Sequence, residues 1–417
     1  MNEKQINNFI NKIKKEDIKF RDIENKLNIT PLEATEIRRK LLEKKFNCSL
    51  NNIGIGSIDF ADAINRNIEN PIGVTQIPLG YAGDLSVNGS NAAGNYPILL
   101  ATTEGKLIAG VSRGISILNS VSGVSTEVIN DGMTRDVLIK ASNIKEVNKL
   151  IHLLTLTEIR DLISNQFSKS SSHIKLIEAK PIPIGRYLHI RFKAFTGAAM
   201  GMNMVTIASY TAAKAFIDYV SEKFNINAKI LSESGNMCSD KKPAMINVIE
   251  GRGVSVIADA FIPNSLLISR FGINSNMIAE VNKAKNLLGS AAAGSNSFNG
   301  HVANILAAMY IAYGQDVAQI VEGSQVLTDA NADENGLYIS ITLPALEVGT
   351  YGGGTKRETQ SEALKLMGLY GLDDTEGKTR KAFAEVVAAV CLAGELNLLI
   401  AETNLELSRS HSSIKRG

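Results

Sequence analysis

The chain has no tryptophan, nine prolines and only three cysteines among 417 residues. Cys48, Cys238 and Cys391 are too widely spaced for a metal-binding cluster and do not suggest a disulfide framework, so no metal is expected and a reducing cytoplasm is the default. Excess charge of either sign is also missing: 44 Lys/Arg against 42 Asp/Glu leave a formal +2. A nucleic-acid partner, which normally demands a dense basic face, is therefore not expected. No uninterrupted apolar run reaches membrane-spanning length, and the opening Met-Asn-Glu-Lys-Gln is too polar for a signal peptide. The reading is an unexported protein without a membrane partner. What is present, 44% hydrophobic and 21% charged residues, is ordinary for a globular chain long enough for two or three domains.

The expected fold class is α+β, a mixed α/β arrangement of a large substrate domain, an inserted ferredoxin-like cofactor domain and a small helical N-terminal domain. Residues 1–50 hold 12 Lys/Arg against 8 Asp/Glu and form the helical unit. Ile6, Phe9, Ile10 and Ile13 repeat at helical spacing, and Thr30-Pro31-Leu32-Glu33 marks a second helix start: N-cap, first-turn proline, and Glu three residues after the cap. Residues 51–136 are glycine-rich, with strand-like runs at Tyr96–Thr102 and Leu107–Val111. Within 137–232 the order is β-α-β-β-α-β, the split βαβ pattern. Its pieces are a strand at Val137–Ile139, a helix capped by Asn143 through about Leu162, and a strand from His173. A half-buried strand at Tyr187–Phe192, a helix Met202–Phe224 and a strand Ala228–Leu231 complete it, with Pro183 and Gly185 at the central turn. Residues 233–243 form a linker loop, and 244–417 return to the large domain and end in a mobile tail.

Ser239-Asp240-Lys241-Lys242-Pro243-Ala244, preceded by Ser234-Gly235-Asn236, makes a compact cationic loop suited to an anion or an oxyanion. Alone it is ambiguous. Glu104 closes an apolar strand before Gly105, where such a residue is either a solvated turn residue or a proton donor. Asp316 follows an apolar helix, where an acid is costly unless paired, and Lys241 or Lys242 is its partner by charge. Ala198-Ala199-Met200-Gly201-Met202-Asn203 precedes the long helix, and glycines at a helix N-terminus let backbone N–H groups approach a pyrophosphate. The Gly-x-Gly-x-x-Gly spacing of a Rossmann site is missing, and Met200 and Met202 also read as plain packing. His411, in a polar tail, is either inert or a mobile proton donor.

Taken together, these segments resemble the 3-hydroxy-3-methylglutaryl-coenzyme A reductase family in its class I form, over about residues 66–417. The matching stretches are Glu69–Gly73 with Gln76–Gly80, which resemble the family's dimer-forming motif, then Ala101–Gly105, Asp131–Arg135, Ser239–Ala244, Glu280–Gly289 and Gly314–Asp316. The resemblance implies reduction of the thioester to mevalonate and coenzyme A with two NADPH, by way of mevaldyl-coenzyme A and mevaldehyde, in isoprenoid supply. It implies Lys241 as oxyanion stabiliser, Glu104 as proton donor raised in pKa by burial beside Asp316, and His411 as donor to the departing thiolate. Arg135, Ser234, Asp240, Lys242, Lys285 and Asn304 would hold the acyl group, with Arg113 a candidate for coenzyme A. Met200, Gly201, Met202 and Asn203 would face the cofactor, with Ser172-His173 near its 2′-phosphate. Departures are visible: the acidic first member of the cofactor motif is Ala198 here, and histidine follows Ser172 where class I enzymes carry arginine. A homodimer with the site between subunits, or a tetramer, is expected. Three other readings stand beside this one: a coenzyme A- or nucleotide-binding regulator without catalysis, an aldolase-like enzyme forming a Schiff base on Lys241, and the same chemistry run oxidatively.

Overall fold

The computed structural model describes residues 1–46, 49, 51–64 and 66–405. His411 and the tail around it lie outside the described residues.

The N-terminal unit is set by two capping boxes. Asn2 accepts from the Gln5 amide at 2.9 Å while Gln5 accepts from Asn2, which starts the helix Glu3–Lys15. Thr30 and Glu33 exchange the equivalent bonds at 2.9 and 3.3 Å and open the helix Pro31–Phe46. Ile6, Ile10, Ile13, Ile23, Ile37 and Leu41 close a small core between these helices.

Among the described residues nine strands follow in two sheets: β1 (Leu79–Gly89), β2 (Ala93–Ala101), β3 (Val124–Ala141), β4 (Lys175–Ile184), β5 (Tyr187–Phe195), β6 (Ala228–Ser232), β7 (Gly253–Pro263), β8 (Leu327–Ala332) and β9 (Gly336–Leu346). The first sheet runs β2-β1-β3-β7-β9-β8, antiparallel except for the short β1–β3 pairing. The second runs β6-β3-β5-β4, antiparallel throughout. Strand β3 belongs to both: Ser125 to Gly132 pair with β7, and Met133 to Lys140 pair with β5. The site below sits where β3 passes from one sheet to the other.

The second sheet is backed by the 23-residue helix Met202–Phe224 and by two shorter helices, Ile144–Leu153 and Thr157–Lys169. The single helix expected from Asn143 to about Leu162 is therefore two. Asn143 does cap the first, accepting from the Lys145 and Glu146 amides, but the chain turns at Leu154–Leu156 so that Leu153, Leu154 and Ile159 all reach the same core. A second correction concerns Leu107–Val111, read as strand-like. It opens the helix Leu107–Asn119, because Leu107, Val111, Ile115 and Leu118 recur at helical spacing and bury one face. Gly114 sits there against Ala393: a Cβ would lie 1.9 Å from that carbonyl oxygen, so only glycine permits the approach. A third concerns β5. Its polar positions are buried rather than solvated, because His189 pairs with Asp136 at 2.8 Å and Arg191 with Glu250 at 2.8 Å.

The first sheet packs on the helix Lys378–Thr403, whose residues Ala382 to Leu396 are almost all buried. Among the described residues it is the one helix long and apolar enough by composition to cross a membrane, yet 89% of its apolar window is inside the fold. Its composition follows from burial on every side, as for a helix enclosed by a large core.

Candidate active site

Residues 233–244 link β6 to the helix Met245–Glu250, and three of them, Asn236, Ser239 and Lys241, take left-handed backbone conformations (φ 68°, 50° and 58°). Such conformations cost non-glycine residues of order 1–3 kcal/mol each and persist only where the surroundings enforce them. Here the enforcement is visible. The Met237 amide donates to Asp136 at 2.9 Å, the Lys241 amide to Glu322 at 2.8 Å and the Ala244 amide to Gln325 at 2.9 Å.

The Lys241 ammonium lies 2.8 Å from the Asp316 carboxylate. Asp316 in turn caps the short helix Val317–Gln319 by accepting from the Ala318 amide at 3.1 Å. The Asp316 bond, outweighing burial, raises the Lys241 pKa and keeps it an ammonium. Lys242 is exposed and donates to the Asp240 carbonyl instead. Of the two candidate partners for Asp316, Lys241 is the one in place. It is not in a dry cleft within the single chain: its side chain is 43% exposed.

Behind this pair lies a buried charge cluster that sequence reasoning missed. Arg252, fully buried, faces Glu322 at 2.6 Å, Glu347 at 3.2 Å and Asp240 at 2.9 Å, with Gln319 at 3.1 Å. Burial pushes Glu347 well above the usual carboxylate range against the pull of Arg252, and pushes Glu322 up less, against the Lys241 amide and Arg252. Asp240 goes the other way. Burial alone would raise it, but Arg252 and the hydrogen bond from Gln319 at 3.0 Å hold it below the ordinary range. Full ionisation of this cluster in a low dielectric is costly, and burial acts most strongly against the charge of Glu347.

A cavity of about 1110 Å³ opens beside Lys241. Gly197 to Met204, Gly314 to Asp316 and Gly349 with Gly352 to Thr355 form its walls, and Arg135, His173 and Arg66 also reach it. Gly201 (φ 88°) begins the helix Met202–Phe224 with no side-chain cap among the described residues, so the first-turn N–H groups, on residues that line this space, lack intrahelical partners. A Cβ on Gly349 would fall 2.5 Å from the Met200 amide nitrogen, so glycine is what lets the two walls close. Backbone donors at the start of a long helix in a glycine-walled cavity suit a pyrophosphate.

The predicted residues separate into groups. Lys241, Asp240, Asp316, Arg135 and Met200 to Asn203 share the cavity, with the Arg135 guanidinium 3.8 Å from Asp240. Glu104 does not join them. It is exposed rather than buried beside Asp316, because its strand ends at a surface turn, and its partner is Asn304 at 3.5 Å. Lys285 pairs with Glu402 at 3.0 Å, and its ammonium lies close to Gly300, just ahead of the helix that carries Asn304. Among the described residues no hydrogen bond or ion pair links this second group to Lys241. Ser234 is half-buried in a local turn with Ser232, and Ser172 is exposed and off the cavity, whereas His173 lines it. Arg113 stacks on Phe271 at 4.9 Å in a separate shallow cavity of about 530 Å³ with Arg270. No metal-holding group of His, Cys, Asp or Glu occurs among the described residues.

Gln319, Glu322 and Gln325 had a legible signal. With Asp316 they recur every third residue through tight helical turns, and so present one face to the loop 239–244.

Comparison with known proteins gives a consistent result. The family described as hydroxymethylglutaryl-coenzyme A reductase matches residues 34–416. The 3-hydroxy-3-methylglutaryl-coenzyme A reductase of Pyrococcus abyssi is 46% identical over 412 residues, 99% of this chain and all of that one. That of Methanocaldococcus jannaschii is 45% identical over 92% of this chain and 93% of its own, and reductase 1 of Cannabis sativa is 38% identical over 92% of this chain and 66% of its own. Among solved structures, the class II reductase of Streptococcus pneumoniae bound to NADPH in open conformations superposes with a TM-score of 0.61 at 17% identity, over 88% of this chain and 96% of that one. At that identity the likeness concerns the fold.

Proposed function

The chain belongs to the hydroxymethylglutaryl-coenzyme A reductase family, and on that premise we propose that it reduces (S)-3-hydroxy-3-methylglutaryl-coenzyme A to (R)-mevalonate and coenzyme A with two NADPH. The observation that carries this reading is the Lys241 ammonium, 2.8 Å from Asp316 at the edge of a glycine-walled cavity.

When bound, NADPH supplies the hydride; the uncapped helix start at Gly201 and the backbone of Met200 to Asn203 would hold its pyrophosphate. His173 and Arg66 line the same cavity and are the groups available to a 2′-phosphate. Lys241 donates to the oxygen that turns into an alkoxide as the thioester carbonyl is reduced, and again at the aldehyde stage. A preorganised donor of this kind is worth about 3 kcal/mol. Asp316 holds that ammonium in place and keeps it protonated. The raised Lys241 pKa argues against the Schiff-base alternative, whose lysine must be neutral to attack a carbonyl. Arg135 and Asp240, beside Lys241, would receive the acyl carboxylate and hydroxyl, with Ser234 and Lys242 on the same loop. Arg113 would face coenzyme A. His411 is the proposed donor to the thiolate.

Glu104, Asn304 and Lys285 form the other half of the site. Because no hydrogen bond or ion pair among the described residues joins them to Lys241, we assign the complete site to a homodimer in which two copies each contribute one half, with a tetramer as higher assembly. Residues 137–232 serve as the cofactor domain, inserted between 51–136 and 244–417 of the substrate domain, with 233–243 as catalytic linker and 1–50 as a helical appendage. The Ser-Asp-Lys-Lys-Pro-Ala loop supports the class I form, and the free buried Cys238 and Cys391 suit the cytoplasm.

The test is loss of NADPH absorbance on adding the thioester, with mevalonate identified as product. Two NADPH consumed per thioester is expected. A chain that binds the thioester and leaves NADPH untouched would instead be the regulator. Turnover with NADH exceeding that with NADPH would overturn the cofactor assignment.

A further inference from the structure

The strained backbone of Lys241 is tied down from a distant part of the chain. Lys241 sits at φ 58°, a region that bulky L-residues avoid, and its amide donates to Glu322 Oε1 at 2.8 Å. The same oxygen accepts from Arg252 at 2.6 Å, while Glu322 Oε2 has no hydrogen-bond partner among the described residues. Glu322 is fully buried, and its helix Ile320–Gly323 follows directly from the turn that carries Asp316. One short segment therefore fixes both ends of the lysine: Asp316 holds its ammonium and Glu322 its backbone.

We infer that Glu322 is a positioning residue for Lys241, acting through the reach of a single acceptor oxygen rather than through its charge. The geometry separates the two properties, since both bonds land on Oε1. Burial, which pushes the Glu322 carboxyl up, agrees that its charge is the dispensable part. A glutamine would present the same oxygen and place its amide where Oε2 now stands. An aspartate would keep a negative partner for Arg252 but fall one methylene short of the Lys241 amide. The consequence for turnover rests on the reductase reading above, whereas the consequence for the lysine itself does not.

The experiment compares Glu322→Gln and Glu322→Asp with wild type in the full-length protein. Trace acetic anhydride labelling followed by mass spectrometry reports the reactivity of the Lys241 amine relative to the exposed Lys4. Steady-state assays report kcat and KM for the thioester. In Glu322→Asp, Lys241 loses its fixed approach to Asp316 and is labelled about threefold faster or more, because an amine without its carboxylate partner gives up its proton more readily. Its kcat falls on the order of ten- to hundredfold, the scale of a misplacement near 1 Å, while KM changes little. Glu322→Gln stays close to wild type in both assays. The inference is overturned if Glu322→Gln is as impaired as Glu322→Asp, or if Lys241 labelling in Glu322→Asp matches wild type. Should the wild-type protein fail to consume NADPH, only the reductase reading falls, and the labelling comparison still decides this one.

Discussion

Replacing Lys241 with alanine should separate catalysis from stability. The ion pair it removes is 43% exposed on the lysine and 35% on Asp316, so solvent screening limits its worth to about 0–1 kcal/mol. Asp316 keeps its bond from the Ala318 amide and has water available to its free oxygen. Alanine carries the same Cβ as lysine at φ 58°, so no strain is added. The expected cost is under about 1 kcal/mol, a fall in Tm of about 1 °C at most for a chain of 417 residues with an unfolding entropy of about 2.1 cal/mol/K per residue. Activity is another matter. Loss of an oxyanion donor costs about 2.7–4 kcal/mol, or roughly 10²–10³ in kcat. The assay is NADPH absorbance at saturating thioester beside thermal unfolding of the same preparation. Lys241→Gly is the control for the backbone: it should be equally inactive and at least as stable as Lys241→Ala, since glycine accepts the left-handed conformation freely. Unchanged turnover in a folded Lys241→Ala would refute the mechanism, and a collapse in Tm would make the residue structural.

Three further outcomes follow from the same geometry. Mixing inactive Lys241→Ala with inactive Glu104→Gln and allowing subunits to exchange should restore about one quarter of wild-type activity, because half the dimers then hold one intact site; no restoration would place both groups within one subunit. In Gly349→Ala the new Cβ, 2.5 Å from the Met200 nitrogen, must displace the 198–201 turn, so KM for NADPH should rise about tenfold or more while the fold survives; an unchanged KM would remove that turn from the cofactor site. Glu347 is expected to keep its proton in the folded state, because burial raises it well above the usual range. The folded protein then binds one more proton than the unfolded chain above the ordinary carboxylate pKa, and stability falls as pH rises from about 4.5 toward the folded value. Glu347→Gln should remove that decline and match or exceed wild-type Tm near about pH 8; a larger fall in Tm there than at about pH 5 would show Glu347 to be ionised.

Local signals served the fold well where one element answers to one pattern. The long helix begins at Met202 and ends at Phe224 as expected, because Gly201 and Asn225 both take left-handed conformations that bound it. The Thr30–Glu33 capping box behaved likewise, whereas the Asn2–Gln5 box went unread. Errors came where tertiary packing overrode a short window. Five apolar residues at Leu107–Val111 look like a strand, and only a window reaching Leu118 exposes the helical period. In β5 the alternation was real, but it reported pairing partners rather than solvent: His189 and Arg191 are inside because Asp136 and Glu250 meet them there.

The site divides along the same line. Lys241, Asp240 and Asp316 were legible because their residue types are chemically loud and stand in compact motifs. Arg252, Glu322 and Glu347 are equally charged, but nothing in the sequence marks them as partners, being 70 and 95 residues apart along the chain for the two ion pairs to Arg252. Their link is made by β7 and β9 lying side by side and by the turn after Asp316. The spacing of three from Asp316 through Gln319 and Glu322 to Gln325 was nonetheless on the page. It reads as an ordinary solvated face until one asks why four consecutive turn positions on one face should all carry a side-chain oxygen. A loop with three left-handed residues has amides to satisfy, and in this row Glu322 and Gln325 accept from two of them, Lys241 and Ala244, while Asp316 takes the Lys241 ammonium and Gln319 donates to Asp240. A strained loop thus calls for complementary polar side chains elsewhere in the chain, and Glu322 and Gln325 supply its acceptors.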